Sequence, residues 1–371
     1  MLYPPESRTW RDAQTGAEIR QITAHASIHH HPFYYIPAYD DAMRHLVFVS
    51  HRTGRAELFL ELRDSGQLLQ LTDHGGLAEF SIAPSHDGRY VYFTDGQGAW
   101  RVNTETCREE QLASFATEAM REKGMVAAAM GTTALSYDDR WWAVPVKMGA
   151  VARLVVIDTC SGASEVIVER DSIGHPEFHP NDSSLLRYAG PYYERMWVVN
   201  RDGSDHRLAY AREGKEWIVH ETWHPRKREL LTTRWPHGVI GVDVDTGAVR
   251  LVCSFNAWHP MVSRDGTRMV ADTTFPDSGL QVFDPNDGVG APQLLCLSQS
   301  SNEGEHWNTD HCPYDDGPVE VYAPQHTHPH PNFSPDGCYV VFASDRSGWA
   351  QVYECRVPDE LTRGDISYDG I

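Results

Sequence analysis

Residues 332–342 read Asn-Phe-Ser-Pro-Asp-Gly-Cys-Tyr-Val-Val-Phe, a turn followed by a short apolar strand. Asp and Gly tolerate the backbone conformations that tight turns require, and Val and Phe favour a strand. The same succession, with substitutions in the turn, starts six more times, near residues 39, 85, 137, 179, 224 and 263. Successive turns are roughly 38 to 52 residues apart and the last step is about 71, against about 40 to 50 residues for a four-stranded propeller blade. The pattern therefore predicts seven repeats of one structural unit.

This periodicity predicts an all-β fold, a seven-bladed β-propeller that forms a single domain over residues 1–371. We expect an N-terminal strand at residues 18–22 to complete the last blade, since this closes the ring of sheets. The long last step corresponds to an insertion at about residues 298–324, directly before a cluster of histidines. This position suits a lid over a site, and a surface loop is the alternative.

Net charge restricts the partners of the chain. Lys and Arg number 32 and Asp and Glu number 52, which gives a formal net charge of −20. Nucleic acid is therefore not an expected partner, because its phosphates would be repelled. An acidic ligand would need a locally positive site, such as a metal ion with a few arginines.

Hydropathy and cysteine usage bear on the compartment. The sequence has no apolar run long enough to span a membrane, and its N-terminus does not resemble a secretory signal. The seven cysteines are dispersed, without a Cys-x-x-Cys motif, which is typical of reduced thiols. We expect a cytoplasmic protein without a membrane partner, and its oligomeric state is left open.

A compact group of metal-binding side chains precedes the last repeat, where residues 325–331 read Gln-His-Thr-His-Pro-His-Pro. In an extended segment the side chains alternate between faces, so His328 and His330 would point the same way. Imidazole nitrogens suit Mn, Fe, Co, Ni or Zn rather than Ca. A polar loop leading into a strand is the alternative interpretation.

Histidines also occupy the entrances of other blades, at His175, His220 and His259. The inner strands of a propeller all begin at the same mouth of the central channel, so these imidazoles and the later pair should surround one opening. A single one of them would more simply be a structural histidine. Four consecutive blades with the same feature favour a metal site.

An arginine in the fourth repeat could serve the same opening. Arg195 follows two tyrosines and precedes Trp197, and the repeat pattern places it between the first two strands of the fourth blade. It is either a surface residue stacked on these aromatic rings or, at the channel mouth, a residue that binds a carboxylate in a bidentate manner.

Three segments, residues 197–204, 219–223 and 325–337, resemble the oligogalacturonate lyases, a pectate lyase family of cytoplasmic seven-bladed propellers. The resemblance extends from about Gly16 to Val357. The Gln-x-x-His-x-His array, preceded by a His-Pro one blade earlier, carries most of its specificity. The sequence departs from the family in the turn at residues 224–227 and in the late insertion, and these departures bear on the substrate.

The resemblance implies a divalent metal, with Mn²⁺ as the expected ion. The residues at the positions of the family's metal ligands are His259, Gln325, His328 and His330. It further implies that His220 abstracts a proton and that Arg195 acts in the active site.

These residue types suit β-elimination from a uronate, which removes a weakly acidic proton next to a carboxylate. A metal absorbs the carboxylate's charge as a Lewis acid, and a neutral imidazole accepts the proton. We expect His220 to be the base, with His175 and His224 as weaker candidates. We also expect Arg195 and His175 to bind substrate, and Glu221 to orient an imidazole.

The predicted function is a metal-dependent lyase that cleaves short oligogalacturonides such as digalacturonate and releases an unsaturated uronate. A small acidic oligosaccharide is the expected partner, because a chain of net charge −20 repels a long polyanion. A lyase for another uronate-containing oligosaccharide and a non-catalytic TolB-like propeller scaffold are the alternatives.

Overall fold

Antiparallel sheets make up almost all of the computed structural model, which describes residues 1–96, 98–115, 131–148, 150–286, 291–302, 307–317, 327–358 and 361. The described residues contain thirty strands, numbered β1 to β30 in chain order, which form seven sheets. This arrangement confirms the predicted seven-bladed β-propeller. None of the helices in the described ranges is long and apolar enough to cross a membrane.

Each blade is built on four strands, of which the first is innermost. This first strand has two residues in five of the blades and six or seven in blades four and five. The strands of blades one to four are β4 (His29–His30), β5 (His45–Ser50), β6 (Glu57–Leu62) and β7 (Gln67–Gln70); β8 (Ala83–Pro84), β9 (Tyr90–Thr94), β10 (Gly98–Asn103) and β11 (Glu109–Ser114); β12 (Ala134–Leu135), β13 (Trp141–Met148), β14 (Val151–Asp158) and β15 (Ser164–Arg170); and β16 (Gly174–His179), β17 (Asp182–Ala189), β18 (Met196–Asn200) and β19 (Arg207–Tyr210). The strands of blades five to seven are β20 (Trp217–Trp223), β21 (Glu229–Trp235), β22 (Gly238–Asp243) and β23 (Val249–Cys253); β24 (Met261–Val262), β25 (Met269–Ala271), β26 (Leu280–Phe283) and β27 (Gln293–Cys296); and β28 (Asn332–Phe333), β29 (Tyr339–Ser344) and β30 (Gln351–Arg356).

The repeated turn joins the first and second strands of a blade. In blade seven the Ser334 hydroxyl donates to Asp336 at 2.5 Å and accepts the backbone N–H of Tyr339 at 2.9 Å. Gly337 closes the turn with a φ of 69°, a conformation that glycine adopts without steric cost. The turn is thus specified locally, which explains why the sequence reveals the repeat.

The second strands of the blades are buried on both faces. In β5, for example, all residues from Leu46 to Ser50 are buried, because each sheet packs between two neighbouring sheets. A strand in that environment reads as a continuous apolar run rather than as an alternating one.

The N-terminal segment closes the ring, as predicted. Strand β3 (Glu18–Gln21) pairs with β30, with Ile19 opposite Cys355, and thereby supplies the fourth strand of blade seven. Two additional strands were not predicted. Strand β2 (Arg8–Arg11) extends blade seven, and β1 (Leu2–Tyr3) pairs with β7 at the outer edge of blade one.

The described part of the insertion is docked on blade five. The Trp307 ring stacks on Trp217 at a centroid distance of 5.7 Å and contacts Trp258 at 4.4 Å. The backbone N–H of Cys312 donates to the carbonyl of Lys215 at 2.7 Å. A 3₁₀ helix, Pro313–Asp315, follows. The segment lies at the same channel mouth as the histidines, and its role as a lid stays a prediction.

Candidate metal centre and active site

The predicted gathering of histidines at one channel mouth is what the structure shows. His259 is the centre of the group: its ring centroid lies 4.1 Å from His220, 4.3 Å from His330 and 5.1 Å from His328. These side chains come from the entrances of blades five, six and seven. Sequence positions more than 100 residues apart therefore converge on one site.

Three of these imidazoles are placed to hold one cation. The ligand nitrogens of His259, His328 and His330 all lie within 4.8 Å of one another. Burial lowers the pKa of His330 well below its ordinary value, and the charges of His259 and His328 act in the same direction. Neutral nitrogen donors at this spacing fit a divalent transition metal such as Mn²⁺ or Zn²⁺. The fourth predicted ligand, Gln325, lies outside the described residues, so its role stays a prediction.

Asp272 orients the central ligand of this group. Its carboxylate accepts Nδ1–H of His259 at 2.8 Å and the backbone N–H of the same residue at 2.7 Å. Both side chains are buried. The proton is thereby held on Nδ1, and the Nε2 lone pair is left to face the other imidazoles. No sequence motif surrounds Asp272. Its role is visible only in the structure, where it forms hydrogen bonds with His259.

His220 is held as a neutral imidazole next to this group. Its Nδ1–H donates to the Trp258 carbonyl at 2.7 Å, which leaves the lone pair on Nε2. Burial lowers the pKa of His220 well below its ordinary value, and the charges of His259 and Arg195 act in the same direction. A neutral imidazole with a free lone pair can accept a proton.

Strained backbone accompanies these imidazoles. His175, His220 and His330 have φ values of 48°, 56° and 49°, in the left-handed region that non-glycine residues seldom occupy. A non-glycine residue keeps this unfavourable backbone conformation only where the surrounding structure enforces it, and such residues are commonly found at functional sites. His328 and His330 face the same site, as predicted, although His330 lacks the extended backbone conformation that the prediction assumed. The two rings nevertheless stack at a centroid distance of 5.5 Å.

Arg195 lies between β17 and β18, the second and third strands of blade four, and not between the first two. The sequence template began at the repeated turn and did not count the inner strand β16 that precedes it, which explains the difference. The Nε–H of Arg195 donates to Glu221 at 2.8 Å. No hydrogen bond from its two terminal nitrogens is found within the described part of the chain.

Glu221 therefore positions an arginine rather than an imidazole, contrary to the sequence-based expectation. Its carboxylate is buried and also lies 3.5 Å from Arg187. Arg187 in turn donates to Glu177 at 2.8 Å and to the carbonyl of His175 at 2.8 Å. This buried network links the strands of blades four and five that face the channel. It fixes the position of Glu221, which in turn holds the Nε–H of Arg195.

An aromatic segment of blade one fills the channel beneath the site. Phe33 stacks on His175 at 5.0 Å and contacts His330 at 4.9 Å. The hydroxyl of Tyr34 donates to the backbone carbonyl of Glu221 at 2.7 Å. These rings exclude water from one side of the imidazoles. No motif marks them in the sequence, because they lie outside the strands of blade one.

The two weaker candidates for the base differ in position. His175 lies in the site, where burial lowers its pKa well below the ordinary value and the charges of Arg195, Arg187 and His259 add to the effect. His224 does not contact this group. It lies in the turn after β20 and bonds Asn286 at 3.2 Å.

Comparisons with known proteins agree with this geometry. A family model described as "Oligogalacturonate lyase" matches residues 4–361. The oligogalacturonide lyase of Pectobacterium atrosepticum is 26% identical, and the match covers 96% of this chain and 98% of that protein. The oligogalacturonate lyase of Dickeya dadantii is also 26% identical, over 95% of this chain and 96% of that protein.

Solved structures share the fold. One described as an oligogalacturonate lyase in complex with manganese has a TM-score of 0.81 and 23% identity, covering 98% of this chain and 99% of its own. An oligogalacturonate lyase from Vibrio parahaemolyticus has a TM-score of 0.80 and 23% identity, with 97% and 99% covered.

Proposed function

We propose, since this chain belongs to the oligogalacturonate lyase family, that it is a metal-dependent lyase that cleaves short oligogalacturonides such as digalacturonate. One observation carries the proposal. A neutral imidazole, His220, lies 4.1 Å from His259, which belongs to a cluster of three histidines suited to a divalent metal. β-Elimination from a uronate requires these two elements side by side, a base and a cation for the carboxylate.

His259, His328 and His330 would hold the metal, with Mn²⁺ as the proposed ion and Gln325 as a proposed fourth ligand. Support for Mn²⁺ comes from the donor set and from the manganese named for the related structure. When bound, the ion supplies Lewis-acid stabilisation of the charge that develops on the uronate carboxylate.

His220 would act as the base through Nε2. In the elimination, the C5 proton passes to Nε2, its electron pair forms the C4=C5 double bond, and the C4–O bond breaks. The departing oxygen takes up a proton from water and leaves as a hydroxyl group, and the resulting hydroxide accepts the proton from the His220 imidazolium, which restores the neutral base. The hydrogen bond to the Trp258 carbonyl keeps the accepting nitrogen unprotonated before the reaction and stabilises the imidazolium afterwards.

Arg195 would pair with a substrate carboxylate through its terminal nitrogens. Glu221 holds the guanidinium by Nε, at 2.8 Å, so the two remaining nitrogens can bind a carboxylate in a bidentate manner. His175 lies within the same pocket, behind Phe33, and would contact the substrate less directly.

A short substrate and a cytoplasmic location complete the proposal. The formal net charge of −20 opposes the approach of a long polyanion, whereas a dimer or trimer needs only the local positive charge. All seven cysteines are free, which is typical of a reducing compartment.

Incubation of the purified protein with digalacturonate tests the proposal. We expect an unsaturated product, detected by its ultraviolet absorbance and by mass spectrometry, that is lost with chelator and restored by Mn²⁺. His220→Ala should form no product while it still binds Mn²⁺. The proposal is wrong if the Mn²⁺-loaded protein leaves digalacturonate intact, or if it acts equally on an unrelated uronate disaccharide.

A further inference from the structure

Exposed tyrosines border the site on the side of blade four. Tyr192 lies in the connection between β17 and β18, and Tyr314 lies in the 3₁₀ helix of the insertion. The two residues are 38% and 39% exposed, so both rings are accessible to a ligand. The two ring centroids are 5.9 Å apart and the planes are inclined by 33°. Two segments far apart in sequence thus present one aromatic surface.

Neighbouring side chains contact both rings in this position. Asp315, next to Tyr314, binds Arg212 with both carboxylate oxygens at 2.8 Å. The Arg212 guanidinium also lies 5.5 Å from the centre of the Tyr192 ring, and the edge of Trp217 supports Tyr314 at 6.5 Å. Rings that are ordered before a ligand binds lose little conformational entropy on binding.

The aromatic surface adjoins Arg195. Tyr192 is only three residues before Arg195 in the same connection. Tyr314 contacts Trp217, whose ring lies 5.2 Å from Trp258, and the Trp258 ring lies 4.5 Å from His220. A ligand over the two rings would therefore lie within reach of the terminal guanidinium nitrogens of Arg195.

We propose that Tyr192 and Tyr314 form a stacking subsite for the galacturonate ring next to the one that loses its C5 proton. This inference rests on the proposed function. In a galacturonate ring the axial C4 oxygen leaves one face rich in C–H groups, and that face can stack on an aromatic ring. The carboxylate at the ring edge would meet Arg195. The reaction itself requires two sugars, because the C4–O bond that breaks joins them. The subsite would add binding energy from the second ring, which positions the first.

Steady-state kinetics of ring-removal variants test the subsite. We expect Tyr192→Ala and Tyr314→Ala each to raise KM for digalacturonate about tenfold or more, because each removes about half of the stacking surface. Tyr192→Phe keeps the ring and should stay within about twofold of wild type. Trp349→Ala removes an exposed aromatic side chain of blade seven and serves as the matched control.

Two further measurements separate the possible outcomes. The variants should bind Mn²⁺ as the wild type does, since neither tyrosine contacts the histidine cluster in the described structure. If Tyr314→Ala loosens the insertion, Tyr192→Leu still tests the subsite, because leucine keeps apolar bulk without a ring. Unchanged KM in Tyr192→Ala and Tyr192→Leu would overturn the subsite while wild-type cleavage upheld the proposed function. Absence of cleavage by the wild type would instead overturn the proposed function.

Discussion

Asp272→Asn offers a sharp test of how the metal centre is built. In the wild type, Oδ2 of Asp272 accepts Nδ1–H of His259 at 2.8 Å, and Oδ1 accepts its backbone N–H at 2.7 Å. The asparagine oxygen would keep the backbone hydrogen bond, so the amide NH₂ would face Nδ1. His259 would then carry its proton on Nε2, the nitrogen that the metal requires.

The size of the effect follows from the surroundings of this pair. Loss of a partner that orients a metal-bound histidine typically lowers metal affinity about 10- to 100-fold, or roughly 1.4 to 2.7 kcal/mol. We expect the upper part of this range, because the two side chains are only 2% and 1% exposed and water cannot replace the carboxylate.

Calorimetric titration of the metal-free protein with Mn²⁺ measures this change. Asp265→Asn is the matched control, since Asp265 lies in the same blade and bonds Ser263 at 2.6 Å instead of a histidine. Wild-type Mn²⁺ affinity in Asp272→Asn, with both variants folded, would refute the proposed role of the carboxylate.

Three other predictions concern separate parts of the molecule. Glu221→Gln should raise KM roughly tenfold at unchanged Mn²⁺ affinity, because Arg195 loses a charged partner; equal KM values would contradict this. Ile19→Ala, in the closing strand, should lower the free energy of unfolding by about 2 to 5 kcal/mol in chemical denaturation, since Ile19 is fully buried; a smaller loss would show that closure matters little. Burial opposes protonation of His74, but its hydrogen bond to Glu109 helps to raise its pKa. Its contribution to stability is therefore full below the unfolded pKa of about 6.5 and is lost as pH rises through the raised value, so His74→Ala should lower Tm more at about pH 6 than at about pH 9.

The fold could be predicted because its signals are local. The turn at Ser334 and Gly337 contains its own hydrogen-bond partners within a few residues, so it reads the same in isolation as in the folded chain. For the inner strands, the sequence indicates the order along the chain but not where each strand begins and ends. Strand β28, for example, has two residues, too few for any periodic pattern. In blade four the inner strand β16 precedes the repeated turn, so a count that starts at the turn placed Arg195 one strand too early.

The histidines and Arg195 could be predicted as parts of the site, but the groups that orient them could not. Propeller geometry brings the blade entrances together, and that is enough to group His220, His259 and His330. Which atom each imidazole presents depends on partners that are distant or unmarked in sequence, such as Asp272 and the Trp258 carbonyl. The role of Glu221 was misassigned for the same reason, since its contact with Arg195 joins two blades that meet only in the folded chain.

Binding of Mn²⁺ to the wild type, His220→Ala and His328→Ala tests most directly whether one imidazole is reserved as the base while its neighbours bind the metal. Titration monitored by electron paramagnetic resonance should show one bound ion per chain in the wild type and in His220→Ala, and strongly reduced binding in His328→Ala. Loss of the ion from His220→Ala would make His220 a ligand rather than the base, and full binding by His328→Ala would contradict the proposed metal centre.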